Sequence, residues 1–315
     1  MIDPLGSPGA DGPGGNGQQE RPPAGTGATI PPATDGGWAQ AVSIDPDYSN
    51  RGGYREDFLE LPVPLPGREA FGDAASAELT YHHFSIVMHR PRRLALFTAV
   101  NIDGRASTRL RRDSDRWIVD PRLPPGEQTD EGLYRDNQLD RGHLVRRLDP
   151  AWGPLARAAN DDTFHFTNAT PQHHDFNAGQ TLWAGLEDYI LHNADNRDLA
   201  VSVFTGPVLH DDDPPYRGVA LPRQFFKLVA MVTTTNQLTV TAYLLSQEAL
   251  LEEFAARAEE FSFGAYRTFQ VPVRRIAALT GLDLAAHIAA DPLERLRVTV
   301  LPRELLRPQD MLLVS

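Results

Sequence analysis

Long runs of β-branched and aromatic residues in the middle of the chain constrain its fold more than any other feature. They occupy residues 80–89, 92–102, 199–209, 225–234 and 238–245. Runs of this composition, bounded by turn residues, predict β-strands. Segments with a helical period lie between and after them. The sequence therefore predicts an α+β fold, in which helices pack on an antiparallel β-sheet core.

The segments between these strands carry weaker patterns. Helical periods predict helices in residues 153–160, 182–194, 248–261 and 271–284, the last of them ending near Gly281. Residues 121–137 predict a loop. A short strand is expected to carry His143, and residues 164–170 predict a further strand.

The first part of the chain differs in composition from the rest. Residues 1–45 are dominated by Gly, Pro, Ala, Thr and Asp. Such a segment buries too little apolar surface to offset its ordering entropy, so we predict a disordered Pro/Gly-rich tail. Residues 46–315 are then predicted to form a single domain.

Three classes of protein are disfavoured by what the sequence lacks. It contains no cysteine, which excludes disulfides and cysteine-based catalysis. No run approaches the roughly 18 apolar residues of a membrane span. The N-terminal residues show neither the basic nor the apolar region of a secretory signal. We therefore expect no membrane partner, and a location in the cytoplasm or export by a route without a leader peptide.

The charge of the chain is unevenly distributed. The formal net charge is −12, which disfavours a broad electrostatic footprint for nucleic acid. Residues 90–116, however, contain eight arginines and three aspartates and carry a charge of +5. Arginine is the basic residue of this protein almost throughout, with Lys227 its one lysine.

The residues around Asp140-Arg141-Gly142-His143 are suited to phosphodiester hydrolysis. That reaction needs a base for the attacking water and a cation for the developing charge. His143 can be the base because imidazole ordinarily titrates near neutrality, and Asp140 or a backbone carbonyl could fix its tautomer. Asn177 supplies a hard amide oxygen for Mg²⁺, and Glu187 can hold the waters of the ion.

Phosphate groups also need cationic partners. Arg141 and one arginine of residues 109–116 are candidates, because guanidinium groups bind phosphate oxygens through paired hydrogen bonds. The arginines of residues 109–116 could equally form a solvated strand face.

Four motifs occur together and in a fixed order. They are Asp140–His143 (DRGH), Asn168–Gln172 (NATPQ), Asn177 nine residues after Asn168, and Trp183–Glu187 (WAGLE). In this combination the chain closely resembles the DNA/RNA non-specific endonuclease family, the endonuclease G-like group of the ββα-metal (His-Me finger) nucleases. The resemblance covers residues 55–290 and includes later stretches at 203–209, 221–229 and 266–282.

The resemblance implies a ββα-metal active-site motif, with His143 as general base and Asn177 as metal ligand. It further implies cleavage of DNA and RNA with Mg²⁺ as cofactor, for which Mn²⁺ is a candidate substitute. Asn168 is expected to support the site. A homodimer and an inhibitor or immunity protein are candidate partners.

The chain departs from the family pattern at two places. The glutamate follows Asn177 by ten residues, against eight in the family, which leaves Glu187 the least secure member of the site. The family also has an arginine two residues before a tryptophan upstream of DRGH. Here Asp115 occupies that slot, with Arg116 adjacent and Arg112 one turn away.

Other interpretations of the same residues stay open. His165, His173, His174 and Asp175 lie close in sequence and could suggest a zinc site, although their spacing fits no known zinc pattern. A binding module with degraded catalysis and a phosphodiesterase for small substrates are the alternative functions. The presence of His143, Asn177 and Arg141 argues against the first, and the order of the motifs argues against the second.

Overall fold

The computed structural model describes residues 43–111, 116–173, 199–247, 267–295 and 303–305. Twelve strands lie in these parts of the chain. They are β1 (Leu79–Thr80), β2 (Phe84–His89), β3 (Leu94–Asp103), β4 (Leu139–His143), β5 (Ala169–His173), β6 (Ala200–Val208), β7 (Pro215–Tyr216), β8 (Val219–Ala220), β9 (Gln224–Val232), β10 (Leu238–Ser246), β11 (Arg267–Val271) and β12 (Arg303–Leu305).

Helices in the described residues are short. The α-helices are α1 (Glu131–Tyr134), α2 (Ala156–Asp162), α3 (Val273–Thr280), α4 (Ala285–Ala289) and α5 (Pro292–Arg295). Short 3₁₀ helices cover Tyr48–Asn50, Glu69–Ala74, Arg90–Arg92, Gly104–Ala106, Pro125–Glu127, Gly153–Leu155 and Phe166–Asn168. None of the helices in these parts of the chain is long and apolar enough to cross a membrane.

Eight of the strands form one antiparallel sheet in the order β1-β2-β3-β6-β9-β10-β11-β12. Its central strands are rich in apolar, β-branched and aromatic residues, and they are buried almost throughout, as expected for strands covered on both faces. Two further antiparallel pairs, β4 with β5 and β7 with β8, lie outside this sheet. The predicted α+β class with an antiparallel sheet core is confirmed.

The large sheet separates two apolar layers because successive strand residues point to opposite faces. On β9, Phe225 and Val229 belong to the cluster that also holds Leu144 and Val145, which follow β4. Phe226 and Leu228 belong to the cluster that holds the buried residues of α3. We call these layers the site side and the helix side of the sheet. The ribbon that carries His143 is thereby attached to the site side.

Most of the strand and helix predictions are confirmed where the structure describes the residues. Strands β2 and β6 fall within the predicted runs, and β3, β9 and β10 match theirs but extend one residue beyond them at one end. The helix predicted to end near Gly281 ends at Thr280, because Gly281 adopts a left-handed φ of 74° and its N–H bonds the carbonyl of Ala277. The helix predicted at 153–160 is confirmed as a 3₁₀ turn followed by α2.

Two predictions were wrong. The strand expected at 164–170 is instead a 3₁₀ helix at Phe166–Asn168, and β5 begins only at Ala169. The segment 121–137, expected to be a loop, contains Pro125–Glu127 and α1. The predicted helices at 182–194 and 248–261 and most of the predicted tail lie outside the described residues.

Candidate active site

The centre of the candidate site is the antiparallel ribbon of β4 and β5. His143, the last residue of β4, lies opposite Ala169, and Asp140 lies opposite Gln172. Gly142 permits this pairing, because a Cβ atom there would lie 2.2 Å from the Gln172 side chain. Any other residue at position 142 would push Gln172 away from the strand. The DRGH motif is therefore a strand in which the glycine leaves room for its cross-strand neighbour.

The strand geometry divides the motif between two faces. Arg141 and His143 are two residues apart and share one face, whereas Asp140 is three residues from His143 and lies on the opposite face. Leu139 and Ala169 share the face of His143 and pack in a cluster with Tyr134. We had expected Asp140 as one way to fix the tautomer of His143, and this placement removes the basis for that role.

The side chain of Arg141 is anchored by helix α1. Its guanidinium forms a bidentate ion pair with Glu131, with Nε 3.1 Å from Oε2 and Nη2 bonded to Oε1. It also lies over the ring of Tyr134, 5.4 Å from the centroid. Asp130 caps α1 by accepting a hydrogen bond from Gly132 N at 2.7 Å. Arg141 is thus held by two residues of α1, Glu131 and Tyr134, in a segment that the sequence predicts as loop.

Asn168 clamps the backbone that follows His143. Its Nδ2 donates to the carbonyls of Val145 and Thr163, both at 2.9 Å, and its Oδ1 accepts from Val145 N at 2.9 Å. The carbonyl of Asn168 accepts from Leu144 N at 3.0 Å. The side chain is fully buried, and its bonds link the backbone that follows His143 to Thr163.

Two aromatic rings flank the imidazole of His143. The Trp117 ring lies 4.5 Å from it, centroid to centroid, at an interplanar angle of 51°. The Phe164 ring lies 5.0 Å from it and is nearly perpendicular, at 88°. Both His143 and Trp117 are half-buried, and Phe164 is buried. The candidate base therefore has an aromatic wall on two sides.

A buried polar network lies beside this wall. The Tyr81 hydroxyl donates to Asp120 Oδ2 at 2.5 Å, and the Arg122 guanidinium stacks over the rings of Tyr48 and Tyr81. Burial alone would raise the pKa of Asp120, but hydrogen bonds from Arg122 and Tyr81 hold that pKa below its ordinary value. Burial also raises the pKa of Tyr48 to about 12. These pKa shifts keep the Asp120 carboxylate charged and the Tyr48 and Tyr81 hydroxyls neutral.

His165 belongs to the same network and is closed to other ligands. Its Nε2 lies 2.7 Å from the Tyr48 hydroxyl, and its Nδ1 lies 2.7 Å from the carbonyl of Asp162. Burial lowers the pKa of His165, which favours the neutral ring that these two bonds require. Since both nitrogens are occupied, His165 does not support the alternative zinc site. Two other members of that alternative, His174 and Asp175, lie outside the described residues.

Several arginines lie on the surface near this ribbon. Arg116 is exposed and immediately precedes Trp117. Arg109 and Arg111 are also exposed and form no ion pair in the part of the chain that the structure describes. Arg147, four residues after His143, donates to the carbonyl of Leu110 at 3.1 Å. This bond brings the segment after β4 next to the basic segment, although Arg112 and Asp115 lie outside the described residues.

The predicted metal ligands cannot be placed in the same way. Asn177 and Glu187 both lie outside the described residues. The ten-residue gap between them lies outside the described residues as well. Strand β5 ends at His173, so the chain enters the segment with Asn177 directly from the partner of the His143 strand. Among the residues that the structure does describe, no group of three His, Asp or Glu side chains is placed to share a metal ion. An amide oxygen and a carboxylate are hard donors, and this donor chemistry fits Mg²⁺.

Sequence reasoning missed three residues of this site. Trp117 and Phe164 were not singled out as neighbours of His143, and Glu131 was not expected to hold Arg141. The tryptophan of the family pattern upstream of DRGH was a signal for Trp117. Phe164 and Glu131 reach the site only through tertiary contacts that no local pattern shows.

Comparisons with known proteins agree on one family. The family model described as DNA/RNA non-specific endonuclease matches residues 68–291. An uncharacterized protein, y4fB of Sinorhizobium fredii (strain NBRC 101917 / NGR234), is 40% identical over 266 residues, which cover 76% of this chain and 40% of that protein. Mitochondrial endonuclease G of Homo sapiens is 28% identical over 203 residues, 58% of this chain and 61% of that protein.

A fungal relative and a solved structure extend this pattern. Nuclease C1 of Cunninghamella echinulata var. echinulata is 26% identical over 197 residues, 57% of this chain and 76% of that protein. A crystal structure of an EndoG/EndoGI complex, described as showing the mechanism of EndoG inhibition, matches with a TM-score of 0.53 and 18% identity. The match covers 74% of this chain and 91% of that one, and it shows a shared fold. The chain spans about two fifths of y4fB and three fifths of human endonuclease G.

Proposed function

Because the chain belongs to the DNA/RNA non-specific endonuclease family, we propose that it is a magnesium-dependent endonuclease that hydrolyses phosphodiester bonds of both DNA and RNA. The observation that carries this proposal is the geometry around His143. A half-buried imidazole stands at the end of β4, on the same face as Arg141, beside a surface with exposed arginines. The family assignment agrees with the resemblance found in the sequence and supports a nuclease activity for this site.

In the proposed reaction His143 is the general base. Its ring takes a proton from a water molecule whose oxygen bonds to the phosphorus atom. The bond between phosphorus and the 3′ oxygen then breaks, the 3′ oxygen takes a proton from solvent, and the product carries a 5′-phosphate. General base catalysis of this kind contributes about 10²–10⁴-fold to a rate.

Arg141 would orient the scissile phosphate. A guanidinium has five N–H donors, and the ion pair with Glu131 engages only Nε and Nη2. The remaining donors on Arg141 can bind a phosphate oxygen while Glu131 fixes the direction in which they point. Arg116, exposed beside Trp117, is the candidate for a second phosphate contact. Asn168 would act through the backbone that it clamps.

Asn177 would hold the metal, with Glu187 retaining its water molecules. When bound, Mg²⁺ supplies positive charge that offsets the charge developing on the phosphoryl and departing oxygens. Such supporting residues contribute about 10–100-fold to metal affinity or activity. Asn177→Ala should therefore be more damaging than Glu187→Gln. Mn²⁺ is the candidate substitute.

Cleavage without regard to sequence follows from the kind of contacts proposed. Arginine contacts to phosphates position a nucleic acid but carry no sequence information directly. Because these contacts are electrostatic, the affinity for nucleic acid should fall as the salt concentration rises. The candidate partners, a second copy of the chain and an inhibitor or immunity protein, stay predictions, as does the location in the cytoplasm or export without a leader.

Digestion of a supercoiled plasmid and of a folded RNA, each with Mg²⁺ and with EDTA, tests the proposal. We expect both substrates to be degraded at many positions with Mg²⁺ only, and more slowly as salt is raised. Cleavage in EDTA would contradict the metal requirement. One discrete cut in the plasmid, or an intact RNA, would contradict the lack of specificity. No degradation of either substrate would overturn the proposed function.

A further inference from the structure

We infer that Trp117 is a positioning residue that fixes the orientation of the His143 imidazole, with Phe164 as the second wall. This inference rests on the proposed role of His143 as general base. It assigns a task to a residue whose side chain the mechanism above does not use. Three observations support it: the placement of Asp140, the geometry of the rings, and the way in which the backbone of Trp117 is held.

A general base must present one nitrogen to the water molecule that it activates. Catalytic groups need to be held within about 0.5 Å and 10–20° of the productive geometry. A carboxylate commonly serves this purpose for a catalytic histidine. Here the carboxylate nearest in sequence, Asp140, lies on the opposite face of β4 from His143. Asp140 is therefore not placed to hold this ring, and the groups that pack against the ring on its own face help to set its orientation.

The two aromatic rings provide such a constraint. Phe164 meets the imidazole edge to face at 88° and 5.0 Å, while Trp117 meets it at 51° and 4.5 Å. Both centroid distances fall at the short end of the range for interacting aromatic pairs. The rings also contact each other, with centroids 5.5 Å apart. A rotation of the imidazole would bring it against one of these two walls.

The backbone under both rings is fixed by hydrogen bonds. Ile118, which follows Trp117, donates to the carbonyl of Phe164 at 3.0 Å and accepts from Phe166 N at 2.8 Å. Asn168 bonds both Thr163 and the backbone after His143. The base, its two walls and their supports thus form one connected unit. Trp117 is half-buried whereas Phe164 is buried, so Trp117 can be changed at less cost to the core than Phe164.

Trp117→Leu tests this role, with Trp117→Phe as the conservative variant. We expect Trp117→Leu to lower kcat by about 10–100-fold, because a misplacement of about 1 Å can cost about 100-fold in rate. KM for plasmid DNA should not change, and Trp117→Phe should restore most of kcat because a ring remains beside His143.

Phe71→Leu is the matched control. Phe71 also makes an edge contact with a histidine, His89, at 6.1 Å and 84°, but it packs with the helix-side cluster. It should therefore lower the melting temperature without lowering kcat. The ring protons of His143, assigned by comparison with His143→Ala, give a readout that does not depend on activity. Nuclear Overhauser contacts between these protons and the Phe164 ring do not depend on the ring current of Trp117. They should be lost in Trp117→Leu and kept in Phe71→Leu.

The possible results distinguish a positioning role of Trp117 from a substrate contact and from a purely structural role. Unchanged contacts between the His143 and Phe164 rings or an unchanged kcat in Trp117→Leu would overturn the inference. Activity of the wild-type protein in the same assay would leave the proposed function intact. A rise in KM at constant kcat would also overturn the inference and make Trp117 a substrate contact. If Trp117→Phe were as damaging as Trp117→Leu, with an equal loss of melting temperature, Trp117 would be a structural residue only.

Discussion

The two sides of the large sheet are stabilised in different ways. On the site side, charged and polar groups are buried together and satisfy one another, as in Asp162, which forms an ion pair with Arg51 and a hydrogen bond with His82. On the helix side, apolar residues of α3 such as Ile276 pack on β10 and share a cluster with residues of β9. The site side therefore adds buried charge pairs to its apolar packing, whereas the packing of α3 on the helix side is apolar. The two sides should respond to different substitutions.

The largest effect on stability is expected from the buried ion pair of the site side. Arg51 Nε and Nη2 lie 2.9 Å from the two oxygens of Asp162, and both side chains are almost fully buried. Asp162→Asn leaves the arginine charge buried without its counter-ion, and we expect a loss of about 3–5 kcal/mol in the free energy of unfolding. Denaturant titration measures it.

Controls separate this effect from a general surface effect. Asp57→Asn removes the partner of Arg55 in an exposed pair and should change stability by less than about 1 kcal/mol. Replacing both buried partners, with Arg51→Met and Asp162→Leu, should recover much of the loss because no unpaired charge remains. Equal losses in the single and the double variant would contradict a charge-based account of this side.

On the helix side the corresponding change is Ile276→Ala. Ile276 is completely buried on α3, so the truncation leaves a cavity and should cost about 2–5 kcal/mol. Arg275→Ala, exposed on the same helix, is the control and should have little effect. If the two variants unfolded at the same denaturant concentration, α3 would not depend on apolar packing in the way we describe.

A buried histidine makes the helix side sensitive to acid. Burial lowers the pKa of His287 to about 4, a shift that Asp283 and the Pro64 carbonyl oppose only in part. The ring is neutral in both states above about pH 6.5, so it costs nothing there. As the pH falls from about 6.5 to 4, the unfolded chain takes up the proton first and the folded state loses up to about 3 kcal/mol.

Unfolding curves of wild type and His287→Leu, recorded across this range, measure the effect. The free energy of unfolding of the wild type should fall relative to that of the variant, and the difference should level off below about pH 4. Parallel curves would show that His287 is already protonated in the folded protein or that another group is responsible.

The smallest effect is expected from removal of the N-terminal segment. Deletion of residues 1–42 should leave the melting temperature and the cleavage rate nearly unchanged. The cut belongs at 42, slightly before the predicted boundary at 45, because Ser43 N bonds Asp161 at 3.3 Å and the Asp45 carbonyl accepts from Arg51 at 2.9 Å. Deletion of 1–51 removes Tyr48 and Arg51 as well and should prevent stable folding. A large effect of the shorter deletion would contradict this.

The fold was predictable from sequence wherever one local signal dominated. The long strands of the sheet are rich in apolar, β-branched and aromatic residues, and Gly281 ends α3 because the left-handed conformation favours glycine. The strand prediction for residues 164–170 was wrong because their composition is typical of a strand, although Phe166–Asn168 forms a 3₁₀ helix. There the Asn168 side chain bonds nearby backbone groups, and such bonds compete with strand pairing.

The candidate site was predictable only in part, for a related reason. The DRGH motif located the ribbon, and the family resemblance located His143 within it. The partner of Arg141 and the walls around His143 depend on contacts between segments far apart in sequence. The faces of β4 were also hidden until its register was known, and the separation of Asp140 from His143 follows from that register.

The rate of plasmid cleavage by His143→Ala, measured beside His210→Ala, tests the central claim most directly. The contacts of His210 run through its backbone N–H and carbonyl, which alanine retains, so this control should cleave at the wild-type rate. His143→Ala should keep the wild-type melting temperature and lose at least about 10²-fold in rate, because it lacks the general base. A folded His143→Ala protein that retains more than about a tenth of wild-type activity would contradict the account.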